Sequence, residues 1–109
     1  MIEVQITNAL KMLCDGRISP LVANQGTQAP YICYTKVSEV YGDVMCGQSY
    51  VTYCFQIDVY AKTLFDAETI SKQAYEKLKP LKPFNVSNHH DYESDTELYR
   101  VTLEFYLLN

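Results

Sequence analysis

From Val51 to Ala61 every second residue is apolar: Val51, Tyr53, Phe55, Ile57, Val59 and Ala61 alternate with Thr52, Cys54, Gln56, Asp58 and Tyr60. Period two sustained this long puts one row of side chains on a core and the other on a semi-polar face. A helix over the same residues would bury Gln56 and Asp58, so the stretch from Tyr50 to Leu64 reads as a strand. Tyr99, Val101, Leu103, Phe105 and Leu107 alternate in the same way with Arg100, Thr102, Glu104 and Tyr106, and predict a last strand.

The rest of the chain arranges itself around these two runs. Ile2, Ile6, Ala9, Leu10 and Leu13 recur at three- and four-residue spacing, with Glu3, Thr7, Asn8 and Lys11 opposite, which predicts a helix stopped at Asp15-Gly16. Arg17-Ile18-Ser19 fits a short edge strand before Pro20, and residues 23–30 read as a loop. Tyr31 to Tyr41 is rich in aromatic and β-branched residues and reads as a strand, with Tyr31, Cys33, Thr35 and Val37 on one face and Ile32, Tyr34 and Lys36 on the other. A hairpin connection over 42–49 follows. Thr63 and Asp66 match a helix start, and Ala67, Ile70, Ser71, Ala74 and Leu78 form the buried stripe of a second helix. Glu68 and Lys72 suit an outward pair on it, and Pro80 and Pro83 end it. Phe84 to Tyr92 alternates only weakly and fits a short strand, and 91–97 reads as an exposed acidic turn. The order α-β-β-β-α-β-β predicts an α+β fold: a mainly antiparallel sheet of four to five strands with two helices on one face. With 109 residues, no internal repeat and no linker, 1–109 is expected to be one domain.

Composition excludes several function classes. Nine Lys and Arg against thirteen Asp and Glu give a net charge of −4, which disfavours nucleic-acid binding by phosphate neutralisation and disfavours an anionic membrane surface. The start of the chain has no basic segment leading an apolar run, so a cytosolic protein is expected. The four cysteines, Cys14, Cys33, Cys46 and Cys54, have no C-x-x-C spacing and are expected to be reduced.

Candidate chemistry is sparse. His89 and His90 are adjacent, and adjacent residues of an extended segment point to opposite sides, so they do not share an ion; they are expected to be solvated. The alternating acids Asp91, Glu93, Asp95 and Glu97 lack the glycine of a calcium loop and read as a solvated turn suited to a basic partner patch. The glycines at 16, 26, 42 and 47 form no phosphate-cradling loop, and no G-x-S-x-G is present. No metal, cofactor or catalytic residue is expected, and the chain is not expected to be an enzyme. Ten tyrosines and no tryptophan remain to be explained. Tyr60 and Tyr106, on the polar sides of their strands, fit either ordinary cross-strand aromatic pairs or a sheet face covered by another copy of the protein.

Four stretches together resemble the small tail-completion, or tail-terminator, proteins of long-tailed bacteriophages and prophages. They are the opening helix with Asp15-Gly16-Arg17-Ile18-Ser19-Pro20; Gln28-Ala29-Pro30-Tyr31-Ile32-Cys33-Tyr34; Phe55-Gln56-Ile57-Asp58-Val59-Tyr60-Ala61 with a helix beginning near Asp66-Ala67-Glu68; and Asp91-Tyr92-Glu93 leading through Asp95-Thr96-Glu97-Leu98-Tyr99-Arg100 into the last strand. Order and spacing agree over nearly the whole chain, although Met45 and Cys46 stand where that family usually carries more glycine.

The resemblance implies a structural protein with no active site. Its copies would form a ring, a hexamer, at the head-proximal end of the virion tail after assembly in the host cytoplasm. The ring would end tube polymerisation and join the tail to the head. The implied partners are further copies of itself, the tail-tube protein and the head connector or neck protein. DNA would be passing cargo repelled by an acidic lumen, and no membrane is involved. Assembly contacts are expected at Tyr41, Asp43, Val44, Met45, Gln48, Tyr60, Tyr106, Asp91, Glu93 and Asp95. The alternative reading is a small α+β ligand-binding or regulatory domain, working as a dimer, with a pocket near Tyr60 and Tyr106.

Overall fold

The computed structural model describes residues 2–21, 26–43 and 49–108. Five strands form one sheet in the order β1-β2-β3-β5-β4: β1 Ile18–Pro20, β2 Tyr31–Asp43, β3 Ser49–Ala61, β4 Phe84–Glu93 and β5 Leu98–Leu108. Two helices, α1 Ile2–Leu10 and α2 Leu64–Leu78, accompany it. All pairings are antiparallel except β1 with β2, so the sheet is mixed but mostly antiparallel, in the α+β order expected.

The alternating runs of β3 and β5 meet in register. Phe55 faces Phe105, Ile57 faces Leu103 and Val59 faces Val101. These side chains are buried, and the two phenylalanine rings lie 6.1 Å apart. Burial of each ring contributes about 1.5–3 kcal/mol. Ile32 of β2 and Ile6 and Leu10 of α1 complete the same core. On α2 the buried stripe is Ala67, Ser71, Ala74 and Leu78. Three of these four are small, which lets the helix axis lie close over β3 and β5. Thr63 caps α2, its Oγ1 accepting from the Asp66 amide at 3.1 Å.

Several boundaries differ from the sequence expectation. The first helix stops at Leu10 rather than at Asp15, because Cys14, Asp15 and Gly16 all take left-handed backbone angles and turn the chain within a 3-10 segment, Leu13–Gly16. Leu64 begins α2 instead of ending β3. Phe84 to Glu93 is a ten-residue strand, with an irregularity at Asn85 and Val86 where Asn85 is left-handed. The hairpin strands reach Asp43 and Ser49, and Val44 to Gln48 lie outside the described residues. Cys33 opposes Asp58, whereas Cys54 opposes Ser38, so the two thiols are out of register for a cross-strand disulfide.

A bulge in β2 sets the geometry of the hairpin. Lys36 pairs with Phe55 and Ser38 with Cys54, leaving Val37 as the extra residue. Before the bulge the even-numbered residues face the helices; after it the odd-numbered ones, Glu39 and Tyr41, do. The molecule measures 51 × 24 × 23 Å, and two 13-residue strands at about 3.3 Å per residue account for its long axis.

Candidate interaction surfaces

The helices cover one side of the sheet, and the other side is open. Its rows are Tyr31, Cys33 and Thr35 of β2; Cys54, Gln56, Asp58 and Tyr60 of β3; Arg100, Thr102, Glu104 and Tyr106 of β5; and Ser87, His89, Asp91 and Glu93 of β4. Asp58 sits at the centre and is only 7% exposed. Its carboxylate accepts from the Thr102 hydroxyl at 2.6 Å and from the Gln56 amide at 3.0 and 3.3 Å. A buried carboxylate needs such donors, because leaving it unpaired away from water is costly.

The acidic end of this face is built around Arg100. Its guanidinium reaches Asp91 at 2.7 Å and Glu93 at 3.3 Å, both on β4. These two acids therefore belong to a strand and are paired, which corrects the expectation of a solvated turn across 91–97. Only Ser94 to Glu97 form the turn, and Asp95 is exposed there. Tyr60 lies beside Arg100 and stacks on Tyr31 at 4.8 Å. Burial raises the Tyr60 phenol above its ordinary value, partly opposed by a hydrogen bond with Arg100. Tyr106 marks the opposite end, 5.8 Å from the ring of Phe84 and beside the Cys54 thiol, whose electrostatic influence raises the Tyr106 phenol. Both tyrosines make cross-strand aromatic pairs, Tyr60 with Tyr31 and Tyr106 with Phe84.

The second surface is the distal hairpin. Lys36 forms ion pairs with Glu39 and, at 3.1 Å, with Glu3 of α1, while the Tyr41 hydroxyl donates to Glu39 at 2.8 Å. These contacts raise Lys36 to about 12, through hydrogen bonds first to Glu39 and then to Glu3. They lower Glu39, through Lys36 and then Tyr41. Val37, Val40 and Tyr41 are exposed on this arm. Gly42 is fixed by the ring of Tyr50: a Cβ there would fall 2.2 Å from a ring carbon. Of the expected contact residues, Tyr41 and the backbone of Asp43 lie here, and Val44, Met45 and Gln48 fall outside the described residues.

The histidines separate as adjacent strand residues must. His89 shares the open face with Thr102, while His90 turns to the helix side, 3.3 Å from Glu68 of α2. Sequence reasoning paired Glu68 with Lys72 and missed this contact, because β4 was not recognised as long enough to cross α2. Among the described residues no three His, Cys, Asp or Glu converge as metal ligands, and no helix is long and apolar enough to cross a membrane.

A protein-family model described as "Tail completion protein gp17" matches residues 5–108. The chain belongs to the gp17 tail completion family. It is therefore a phage tail completion protein, a structural component of the virion tail, in a family that is structural rather than enzymatic. No curated protein matches the chain. Among solved structures, a chain of the virion of a native gene transfer agent particle superposes with a TM-score of 0.61 at 12% identity, covering 98% of this chain and 92% of that one. At that identity the likeness shows a shared fold. The members of the gp17 family resembled at the sequence level and the fold matched in three dimensions agree over nearly the whole chain.

Proposed function

We propose that this tail completion protein caps the tail tube as a closed ring, a hexamer, which ends tube polymerisation and offers its far rim to the head connector or neck protein. The observation that carries the reading is the separation of two unlike surfaces at opposite ends of one elongated subunit. At one end is the hairpin with the exposed Tyr41 and the backbone of Asp43, and at the other are Asp91, Glu93 and Asp95 around the β4–β5 turn. A subunit that must match two different neighbours along the tail axis needs two such rims. Tyr106 closes the open face at the hairpin end and Tyr60 at the acidic end, so each extends its rim with an amphipathic ring.

Copies arranged with the helices outward would turn the open face to the lumen. That face carries Asp58, Glu104, Asp91 and Glu93 against Arg100, an acidic balance that keeps a DNA duplex from adhering as it passes.

Light scattering behind size exclusion over a wide concentration range, with electron microscopy of the large species, tests this. The expected result is a ring with a central hole, and shortened tubes when tail-tube protein polymerises in its presence. A chain that stays monomeric at every concentration and leaves tube length unchanged would overturn it.

A further inference from the structure

The sheet ends on two backbone edges that no described strand of the chain covers. One is β4, along its full outer side. The other is the outer side of β2 from Thr35 to Asp43, since β1 covers only Ile32 to Tyr34 and the last cross-link is the Leu21 amide donating to the Tyr34 carbonyl at 2.8 Å. We propose that β4 of one copy adds to this β2 edge of the next copy, so that the sheets of neighbouring subunits run on as one. This rests on the ring reading above and names the contact that closes the ring.

Four observations fit these two edges to each other. The first is direction: β2, β3, β5 and β4 alternate up and down without a break. A second copy in the same orientation therefore presents β2 antiparallel to β4, and the sheet continues in its own pattern. The contact is heterologous, joining different edges of identical copies, which is the kind of contact that forms a cyclic ring when the rotation from copy to copy closes.

The second is length. The regular part of β4 runs from Ser87 to Glu93 and the uncovered part of β2 is regular beyond its bulge from Ser38 to Asp43, so a five-residue ladder of 87–91 against 38–42 fits.

The third is how lightly β4 is guarded. Soluble proteins protect edge strands with charged side chains, Lys above all, with Pro, bulges or short length. β4 has ten residues with neither Lys nor Pro among them, its irregularity stops before Ser87, and its acids Asp91 and Glu93 are drawn onto Arg100 of β5, while Phe84, Val86 and Tyr92 are exposed along it.

The fourth is charge. Lining up the two open faces allows His90 to stand opposite Glu39 on the helix side, with Asp91 opposite Ser38 and His89 opposite Val40. The Lys36 cluster holds two carboxylates, Glu3 and Glu39, against one ammonium, so it presents a surplus negative charge to the imidazole. No two acids of the paired strands face each other in this register, and His90 would stand between Glu39 of the neighbour and Glu68 of its own chain.

Hydrogen exchange of the wild-type ring, read by fragment mass spectrometry, tests the pairing. The outward amides of residues 87–91 and 38–42 are expected to exchange as slowly as those paired within the sheet. A second measurement uses His90→Cys with Glu39→Cys in one chain, in a background with Cys14 and Cys46 replaced by Ser. Oxidation should yield a covalent ladder up to ring size, and His89→Cys with Glu39→Cys, which point to opposite faces, should yield none. Rings visible by microscopy whose two edges exchange quickly would overturn the edge pairing and leave the ring reading standing. Covalent dimers from His90→Cys alone would also overturn it, in favour of β4 pairing with its own copy. Absence of rings from the wild-type protein, with and without tail-tube protein, would overturn both readings.

Discussion

The hydroxyl of Thr102 donates to the Asp58 carboxylate at 2.6 Å across the β3–β5 pair, directly opposite it in register. That bond, with the Gln56 amide on the other flank, is why a charged residue sits nearly buried in the middle of a sheet face. The same triplet fills the centre of the face that a ligand pocket near Tyr60 and Tyr106 would need.

Thr102→Val keeps the shape and removes the donor. Losing one partner of a buried polar group costs about 1–3 kcal/mol, so urea unfolding should show a lower midpoint with an unchanged slope. Thr102→Ser should recover most of the loss. An unchanged midpoint in the valine variant would mean that Asp58 is solvated instead of held by this bond.

Gly42→Ala places a methyl group in the ring of Tyr50. The ring must leave, and the expected cost is about 1 kcal/mol, at the low end for overpacking because Tyr50 is partly exposed. Tyr50→Ala should abolish the effect, so the pair of substitutions should be non-additive in a double-mutant cycle. Additive losses would separate Gly42 from Tyr50.

The Lys36 cluster gives the hairpin a pH signature. Glu39 and Glu3 are both lowered from 4.5 in the folded chain, Glu39 chiefly by the Lys36 hydrogen bond and Glu3 chiefly by a backbone hydrogen bond with Lys36 next. Stability linked to lowered carboxyls is present above their unfolded value and lost as pH falls through the folded value. Lys36 works in the other sense: its contribution is full below 10.5 and disappears as pH rises through about 12. Carboxyl titration by NMR should place Glu39 below 4.5, and Lys36→Met should move it back toward that value. A Glu39 midpoint unaffected by Lys36→Met would remove Lys36 as the cause.

Burial raises the Cys14 thiol to about 11 from 9.0. The thiolate is the reactive form, so alkylation of Cys14 near pH 8 should be about 100-fold slower in the folded chain than in the denatured one. Peptide mapping after timed iodoacetamide treatment reads this directly; equal rates would show that the thiol is not desolvated.

The parts of this fold that were legible from sequence are those with one wet and one dry side. β3 and β5 each bury one face under α2, and the burial repeats the alternation along the chain. β4 is exposed on nearly every residue, so burial imposes no rhythm on Phe84 to Glu93, and its acids and histidines read as loop. The left-handed run was legible only at its end: Asp15 and Gly16 are residue types that favour such a backbone, whereas Cys14 is not, so its start at Cys14 was not anticipated. The interaction surfaces were half legible. Tyr41, Tyr60, Tyr106 and Asp95 stand at the two ends of the molecule, but the ties of Arg100 to Asp91 and Glu93 depend on a strand pairing that composition does not reveal.

The bulge at Val37 constrains how this hairpin can change in length. Removing that single residue would restore regular pairing and leave the sides unchanged, with Lys36, Glu39 and Tyr41 still toward the helices and Ser38 and Val40 on the open face, whereas removing any one residue beyond it would turn the outer arm over. Insertions and deletions along this arm are therefore tolerable at Val37 itself, at the tip, or in even steps matched on both strands. Relatives whose arms differ in reach are expected to differ by multiples of two residues per strand.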